Sequence, residues 1–182
     1  MGSAPHTSVA PPSEWVRRFV PFIPTVGRVL DLACGEGRHT RLLAQLGYRV
    51  LAIDRDERAL RSLAAVAGVD TAVIDLEKGS WPYPGEQFAG IVVTNYLHRP
   101  LFPSLVASLR DGGILIYETF ARGNERYGRP SNPEFLLQPG ELLEAVSGQL
   151  RVLAYEDTFV AEPKPALMQR ICAMNADRVP AD

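Results

Sequence analysis

Cysteine is scarce in this chain: only Cys34 and Cys172 occur among 182 residues, at a spacing that fits neither a zinc-ligand pattern nor a secreted disulfide framework. No metal centre is therefore expected, and a reducing cytoplasm is the expected compartment. No apolar run approaches the ~20 residues needed to span a bilayer, and no charged segment followed by an apolar stretch marks a secretory signal. An excess of charge is also missing, with 19 basic against 21 acidic side chains and a net charge of −2. That balance gives no global field for holding a polyanion, so a nucleic-acid partner is disfavoured. Repeats and low-complexity tracts are absent too. The length suits one domain, expected over residues 13–182 behind a flexible Ser-, Ala- and Pro-rich leader at residues 1–12.

What is present is a pattern joining a glycine turn to two acids at strand ends. The apolar run Val29-Leu30 meets Asp31, then Leu32-Ala33-Cys34-Gly35-Glu36-Gly37 turns the chain into an amphipathic segment. A second apolar run, Leu51-Ala52-Ile53, ends at Asp54, where a carboxylate can accept hydrogen bonds from both hydroxyls of a ribose. A dinucleotide would require a third glycine where Thr40 stands, and its pyrophosphate would lie beside Asp31 and Glu36, an unfavourable pairing in a partly desolvated pocket. A nicotinamide-dependent oxidoreductase is disfavoured for that reason. A nucleoside bearing positive charge turns the same acids into an advantage.

The motif Asp31-Leu32-Ala33-Cys34-Gly35-Glu36-Gly37 resembles the first motif of class I S-adenosylmethionine-dependent methyltransferases, with Ala33 where the family more often has glycine. Residues 15–144 resemble the small bacterial tellurite-resistance-like group. The resemblance implies S-adenosylmethionine as cofactor, held by Asp31, Ala33, Gly35, Gly37, Asp54, Arg55, Asp75, Leu76 and Asn95. Within that set Asp54 would serve the ribose, Asp75 the adenine amino group, and the Leu76 N–H the adenine ring. Asp31 would order the glycine loop or attract the cationic methionyl end. An expected small-molecule acceptor would meet Tyr96 and His98, the candidates for orienting or deprotonating its nucleophile. The substrates of that group vary, so the resemblance leaves the acceptor open. A cofactor-binding regulatory or partner subunit that transfers no methyl group is the alternative.

Periodicity and turn chemistry predict strands over residues 28–32, 49–53, 70–74, 88–94, 114–118, 151–157 and 166–174. Helices are expected over residues 14–20, 38–46, 56–67, 101–110 and 140–146, the first capped by Ser13 and lying where it would cover the cofactor. The alternation implies an α/β, Rossmann-like, doubly wound sheet of seven strands. It is mostly parallel, with the last strand antiparallel because no helix separates it from the sixth. Residues 119–139 read as a long structureless connection, a gate over the acceptor, whose Arg122, Arg126 and Arg129 would favour an anionic or electron-rich molecule.

Overall fold

The computed structural model describes residues 9–176, whose seven strands form one sheet in the order β3-β2-β1-β4-β5-β7-β6. Its centre is β1 (Arg28–Leu32) beside β4 (Phe88–Thr94), flanked by β2 (Arg49–Asp54) and β5 (Leu109–Phe120). The edges are β3 (Val69–Val73) and β6 (Arg151–Val160), and β7 (Ala166–Met174) runs antiparallel between β5 and β6. The mostly parallel seven-stranded sheet expected from the sequence is therefore present. Residues 1–8, most of the expected leader, lie outside the described residues.

Side-chain alternation splits the core into two layers. Val29, Val50, Val92, Ile114 and Ile116 face one way and pack against Trp15, Val16 and Phe19 of α1 (Glu14–Phe19) and Leu43 of α2 (Arg38–Gln45). Leu30, Ile91, Leu115 and Tyr117 face the other way, toward Leu105 and Val106 of α4 (Phe102–Ala107) and Leu142 and Val146 of α5 (Glu141–Val146). Burial on both faces explains why β4 reads as an almost unbroken apolar run. Each fully buried aliphatic side chain contributes about 1.5–3 kcal/mol, so this sandwich fixes the strand ends that carry polar groups.

Several boundaries depart from the sequence expectation. α3 covers only Glu57–Arg61, not residues 56–67; beyond it the Leu63 and Val66 N–H groups bond three residues back, to Leu60 and Leu63, as tight turns. Only Leu60 and Leu63 in this stretch are fully buried, too little apolar surface to hold a longer helix. The helix expected over residues 101–110 ends at Ala107 because β5 has begun by Leu109. Gly112 and Gly113, which look like a helix stop, lie inside β5 beside a register shift against Phe88 and Gly90. A Cβ on Gly113 would come within 2.8 Å of the Arg110 carbonyl oxygen, and the Asn175 side chain donates to the Leu109 and Arg110 carbonyls at 2.8 and 3.2 Å.

Residues 119–139 are also better ordered than expected. Thr119 and Phe120 belong to β5, and the remainder forms two 3₁₀ turns, Asn124–Arg126 and Pro133–Phe135. Buried Asn124 anchors them, donating to the Pro130 carbonyl at 3.1 Å and accepting from the Leu167 N–H at 3.2 Å.

Candidate active site

The parallel register sets the ends of β1, β2, β3, β4 and β5 side by side, with the change of direction between β1 and β4, where an open α/β sheet forms its ligand crevice. Two cavities open there. The larger, about 420 Å³, is lined by Asp54, Arg55, Asp75, Leu76 and Glu77 together with Tyr96, Leu97, Thr119, Phe120, Pro130 and Phe135. The smaller, about 300 Å³, is lined by the glycine loop at Cys34, Gly35 and Glu36, by Arg38 and Thr94, and by Val9 and Ala10. Ala33 and Asn95 line both and so form the waist between them. These two are also the non-glycine residues with positive φ among the described residues, at 53° and 55°. Backbone bent this way exposes main-chain atoms to a ligand at the expense of local strain.

Asp54 closes β2 and ties the loops together. Its Oδ2 accepts from the Gly35 N–H at 2.8 Å and its Oδ1 from the Asp56 N–H at 2.9 Å. Asp56 caps α3 instead, accepting from the Arg58 and Ala59 N–H groups. A carboxylate has about four acceptor positions, so Asp54 keeps capacity for ligand hydroxyls. Asp75 accepts from the Glu77 N–H at 3.1 Å and pairs with Lys78 at 3.0 Å, and the Lys78 contact holds its carboxyl below the usual range.

Other predicted residues sit elsewhere. Asp31 is 1% exposed and turned under the loop, with Thr40 Oγ1 donating to its Oδ2 at 2.5 Å. Burial pushes its carboxyl up to about 7, against the opposing pull of Thr40. It lines neither cavity. Gly37 lines neither as well; its φ of 76° starts α2, and a Cβ there would lie 2.5 Å from Leu63 Cδ2. Gly35, at φ 54°, has open space where a Cβ would be.

Tyr96 does reach the larger cavity, and its hydroxyl oxygen is buried without a hydrogen-bond partner among the described residues. Desolvation, with Glu77 and Asp75 nearby, pushes the phenol up to about 12. It is a hydrogen-bonding group at neutral pH, not a base. His98 precedes the 3₁₀ turn Arg99–Leu101 and lines neither cavity. Glu118 faces the opposite side, paired with Arg170 at 3.3 Å, while Thr119 and Phe120 reach the cavity. Arg126 and Arg129 are exposed and line neither cavity; the Arg122 guanidinium bonds the Gln138 side-chain oxygen at 2.9 and 3.0 Å. The connection thus presents Pro130 and Phe135, not its arginines.

Sequence reasoning missed His39. It is 2% exposed on α2, its Nε2 accepts from the Ser13 N–H at 3.0 Å, and its Nδ1 lies 3.2 Å from Thr94 Oγ1. Burial first, then Arg38 and Arg17, drive its pKa down to about 3. A neutral ring that accepts at Nε2 carries its proton on Nδ1 and donates to Thr94. The histidine therefore fastens the start of α1 to the end of β4. With Arg38 donating to the Pro11 carbonyl at 3.4 Å, it lays residues 9–13 along the smaller cavity. Only the three-dimensional neighbourhood reveals this, because on the sequence His39 is one polar residue in an amphipathic helix.

Comparison with known proteins agrees with this geometry. Residues 29–113 match the family model described as a methyltransferase domain. The putative methyltransferase YqeM of Bacillus subtilis is 30% identical over 122 residues, which make up 61% of this chain and 49% of that protein. The crystal structure of TehB from Haemophilus influenzae superimposes with a TM-score of 0.71 at 20% identity, covering 89% of this chain and 61% of TehB. The glycopeptide N-methyltransferase MtfA, solved with S-adenosylhomocysteine, gives a TM-score of 0.61 at 20% identity over 88% of each chain. The sheet thus has the fold of solved S-adenosylmethionine-dependent methyltransferases, and residues 29–113 are similar to a methyltransferase domain, with TehB among the similar proteins. The chain spans 31–49% of the length of the first curated relatives it matches.

Several of these similar proteins are named as S-adenosylmethionine-dependent, and the residues around the two cavities of this chain are of types that suit that molecule. A cavity carrying Asp54 and Asp75, a waist of bent backbone, and a second cavity carrying Glu36 and Arg38 offer acceptors to hydroxyls and to an ammonium, and a cation to a carboxylate. Among the described residues no helix is long and apolar enough to cross a membrane, and no cluster suited to a metal ion occurs.

Proposed function

We propose that this chain transfers the methyl group of S-adenosylmethionine to a small-molecule acceptor bound between the ends of β4 and β5. The observation that carries the reading is the pair of cavities meeting at Ala33 and Asn95, the larger carrying Asp54, Asp75 and Glu77 with Tyr96 and Phe120 on the same lining. The larger cavity suits the nucleoside, with Asp54 accepting from the ribose, Asp75 and the Leu76 N–H serving the adenine, and Arg55 beside them. The smaller cavity suits the methionyl portion, with Gly35 leaving room for close approach. Asp31 acts indirectly by fixing α2 through Thr40, and Gly37 by letting α2 pack on Leu63.

The bound cofactor supplies an electrophilic methyl carbon on a sulfonium. The protein's own contribution is alignment and exclusion of water, which in well-oriented pairs accounts for about 7–11 kcal/mol of barrier. Phe120, Pro130 and Phe135 add apolar surface to the lining, and Tyr96 Oη supplies a hydrogen bond that orients the nucleophile. His98 is not placed to remove a proton.

Calorimetric titration with S-adenosylmethionine and S-adenosylhomocysteine tests the reading, with binding to both expected. Asp54→Ala should weaken that binding at least about tenfold, since bonds to charged groups are worth roughly 1.5–3 kcal/mol. Unchanged affinity in a folded variant would remove Asp54 from the site, and no binding by the wild type would overturn the reading.

A further inference from the structure

Resting on the methyltransferase reading, we propose that Arg99 is a positioning residue of the ligand crevice, whose guanidinium brackets Phe135 and sets that ring on the lining of the larger cavity. Arg99 lines neither cavity itself, so it acts only through its neighbours. It follows closely on Tyr96 and Leu97, which carry the cavity lining away from the end of β4. The root of that stretch is fixed, because the hydroxyl of buried Tyr117 donates to the Tyr96 carbonyl at 2.8 Å.

From this root the guanidinium reaches across to the connection after β5. Its Nη1 donates to the Glu134 carbonyl at 2.8 Å and its Nη2 to the Leu136 carbonyl at 3.0 Å, the residues on either side of Phe135. Its other edge grips Glu141 at the start of α5, with Nε donating to Oε1 at 2.6 Å and Nη2 to Oε2 at 3.0 Å. Glu141 Oε2 also accepts from the Gln138 N–H at 2.7 Å, which closes the turn between Leu136 and α5. One rigid planar group thus fixes the connection at three residues, which a lysine ammonium on a flexible stem does not reproduce.

Phe135 needs such a holder. Leu136 and Leu137, next along the chain, are buried, whereas Phe135 stays 49% exposed while lining the cavity. A ring left half in water gains little hold from its own packing, so the backbone on either side of it decides whether it faces a ligand or solvent. Fixing it beforehand spares the cost of ordering it when a ligand binds. A ligand that fills the cavity meets Phe135 on the same lining as Asp54, Asp75 and Leu76. An ion pair that only stapled α5 to the turn before α4 would need Glu141 alone; the bonds to the Glu134 and Leu136 carbonyls are what single out Phe135.

The test uses the full chain labelled with 4-fluorophenylalanine. The ¹⁹F signal of Phe135 is assigned by its loss in Phe135→Ala, and the signals of the other phenylalanines report on the fold. The wild type should give one narrow Phe135 signal that moves when S-adenosylhomocysteine saturates the protein, with binding verified by calorimetry. In Arg99→Lys that signal should shift toward the value of an unstructured peptide and respond less to the ligand, while the others stay in place. S-adenosylhomocysteine affinity should fall about fivefold in Phe135→Ala, as expected for losing contact with half a phenyl ring, and by a similar factor in Arg99→Lys. The double variant should be no weaker than Phe135→Ala, because Arg99 acts through that ring. Glu141→Ala, which releases the other edge of the guanidinium, should shift the Phe135 signal in the same direction and serves if Arg99→Lys does not fold. An unmoved Phe135 signal in the variants, no response of that signal to bound ligand, or additive losses in the double variant would each overturn the inference. Absence of S-adenosylhomocysteine binding by the wild type would instead overturn the methyltransferase reading, a result that the ligand-free spectra keep separate from the placement of the ring.

Discussion

At the scale of single residues, the glycine loop shows how one short motif divides its work. Ala33 stands in a left-handed conformation that costs an L-residue roughly 1–2 kcal/mol, whereas Gly37 occupies one that also abuts Leu63. Ala33→Gly relieves strain but frees the unfolded chain by about 0.4–1 kcal/mol, so a loss larger than about 1 kcal/mol is not expected. Gly37→Ala combines the φ penalty with a clash and should lose about 2 kcal/mol or more. Denaturant titration of both variants checks the contrast. Asp31 gives a third prediction. Its folded pKa, about 7 against an ordinary 3.8, means the folded state binds more protons between those values, so stability falls as pH rises through that window. Asp31→Asn keeps the Thr40 contact and should flatten the difference curve by a few kcal/mol, at about 1.4 kcal/mol for each pH unit. The acids at positions 31, 54 and 75 stand out in the sequence, but their directions do not. Alternation along β1 buries Asp31 beneath the loop, and no spacing rule distinguishes it from Asp54, which faces the crevice.

At the scale of elements, the strands were the more legible part. β1, β4 and β7 begin and end where the apolar runs do, because each is enclosed by neighbours on both sides. Helix ends were harder to read, since local turn signals were overridden by the sheet. The Gly112-Gly113 pair serves a bulge held by Asn175, a residue far along the chain. α1 illustrates a cap that sequence does reveal: Ser13 Oγ accepts from the Trp15 N–H at 3.1 Å. Ser13→Ala should cost about 1 kcal/mol, and hydrogen exchange should show α1 losing protection before the sheet does. Equal loss throughout the molecule would mean that α1 and the sheet open as one unit.

For the whole molecule, two strand-end acids and a glycine turn pointed to Asp54, Asp75 and Gly35, which do line the crevice, whereas Pro130 and Phe135 reach it only because residues 119–139 fold back. The arginines of that connection are conspicuous in the sequence and remote from the cavity. Pro130 and Phe135, which do line it, carry no signal of their own until Asn124 anchors the turns. The waist at Ala33 and Asn95 likewise needs β1 and β4 to be neighbours, a pairing fixed by the sheet order.

The His39 bridge turns this architecture into something observable in solution. Because Nε2 accepts from Ser13 and Nδ1 faces Thr94, the imidazole is held as a single tautomer, out of water, behind Thr94, which lines the smaller cavity. Its two ring nitrogens should give widely separated ¹⁵N resonances that stay fixed from neutral pH down to about pH 4, where a free histidine would already have titrated. A ligand in the smaller cavity would touch Thr94, the hydrogen-bond partner of His39, and should move those resonances, giving a built-in spectroscopic gauge of occupancy that needs no attached label at the site.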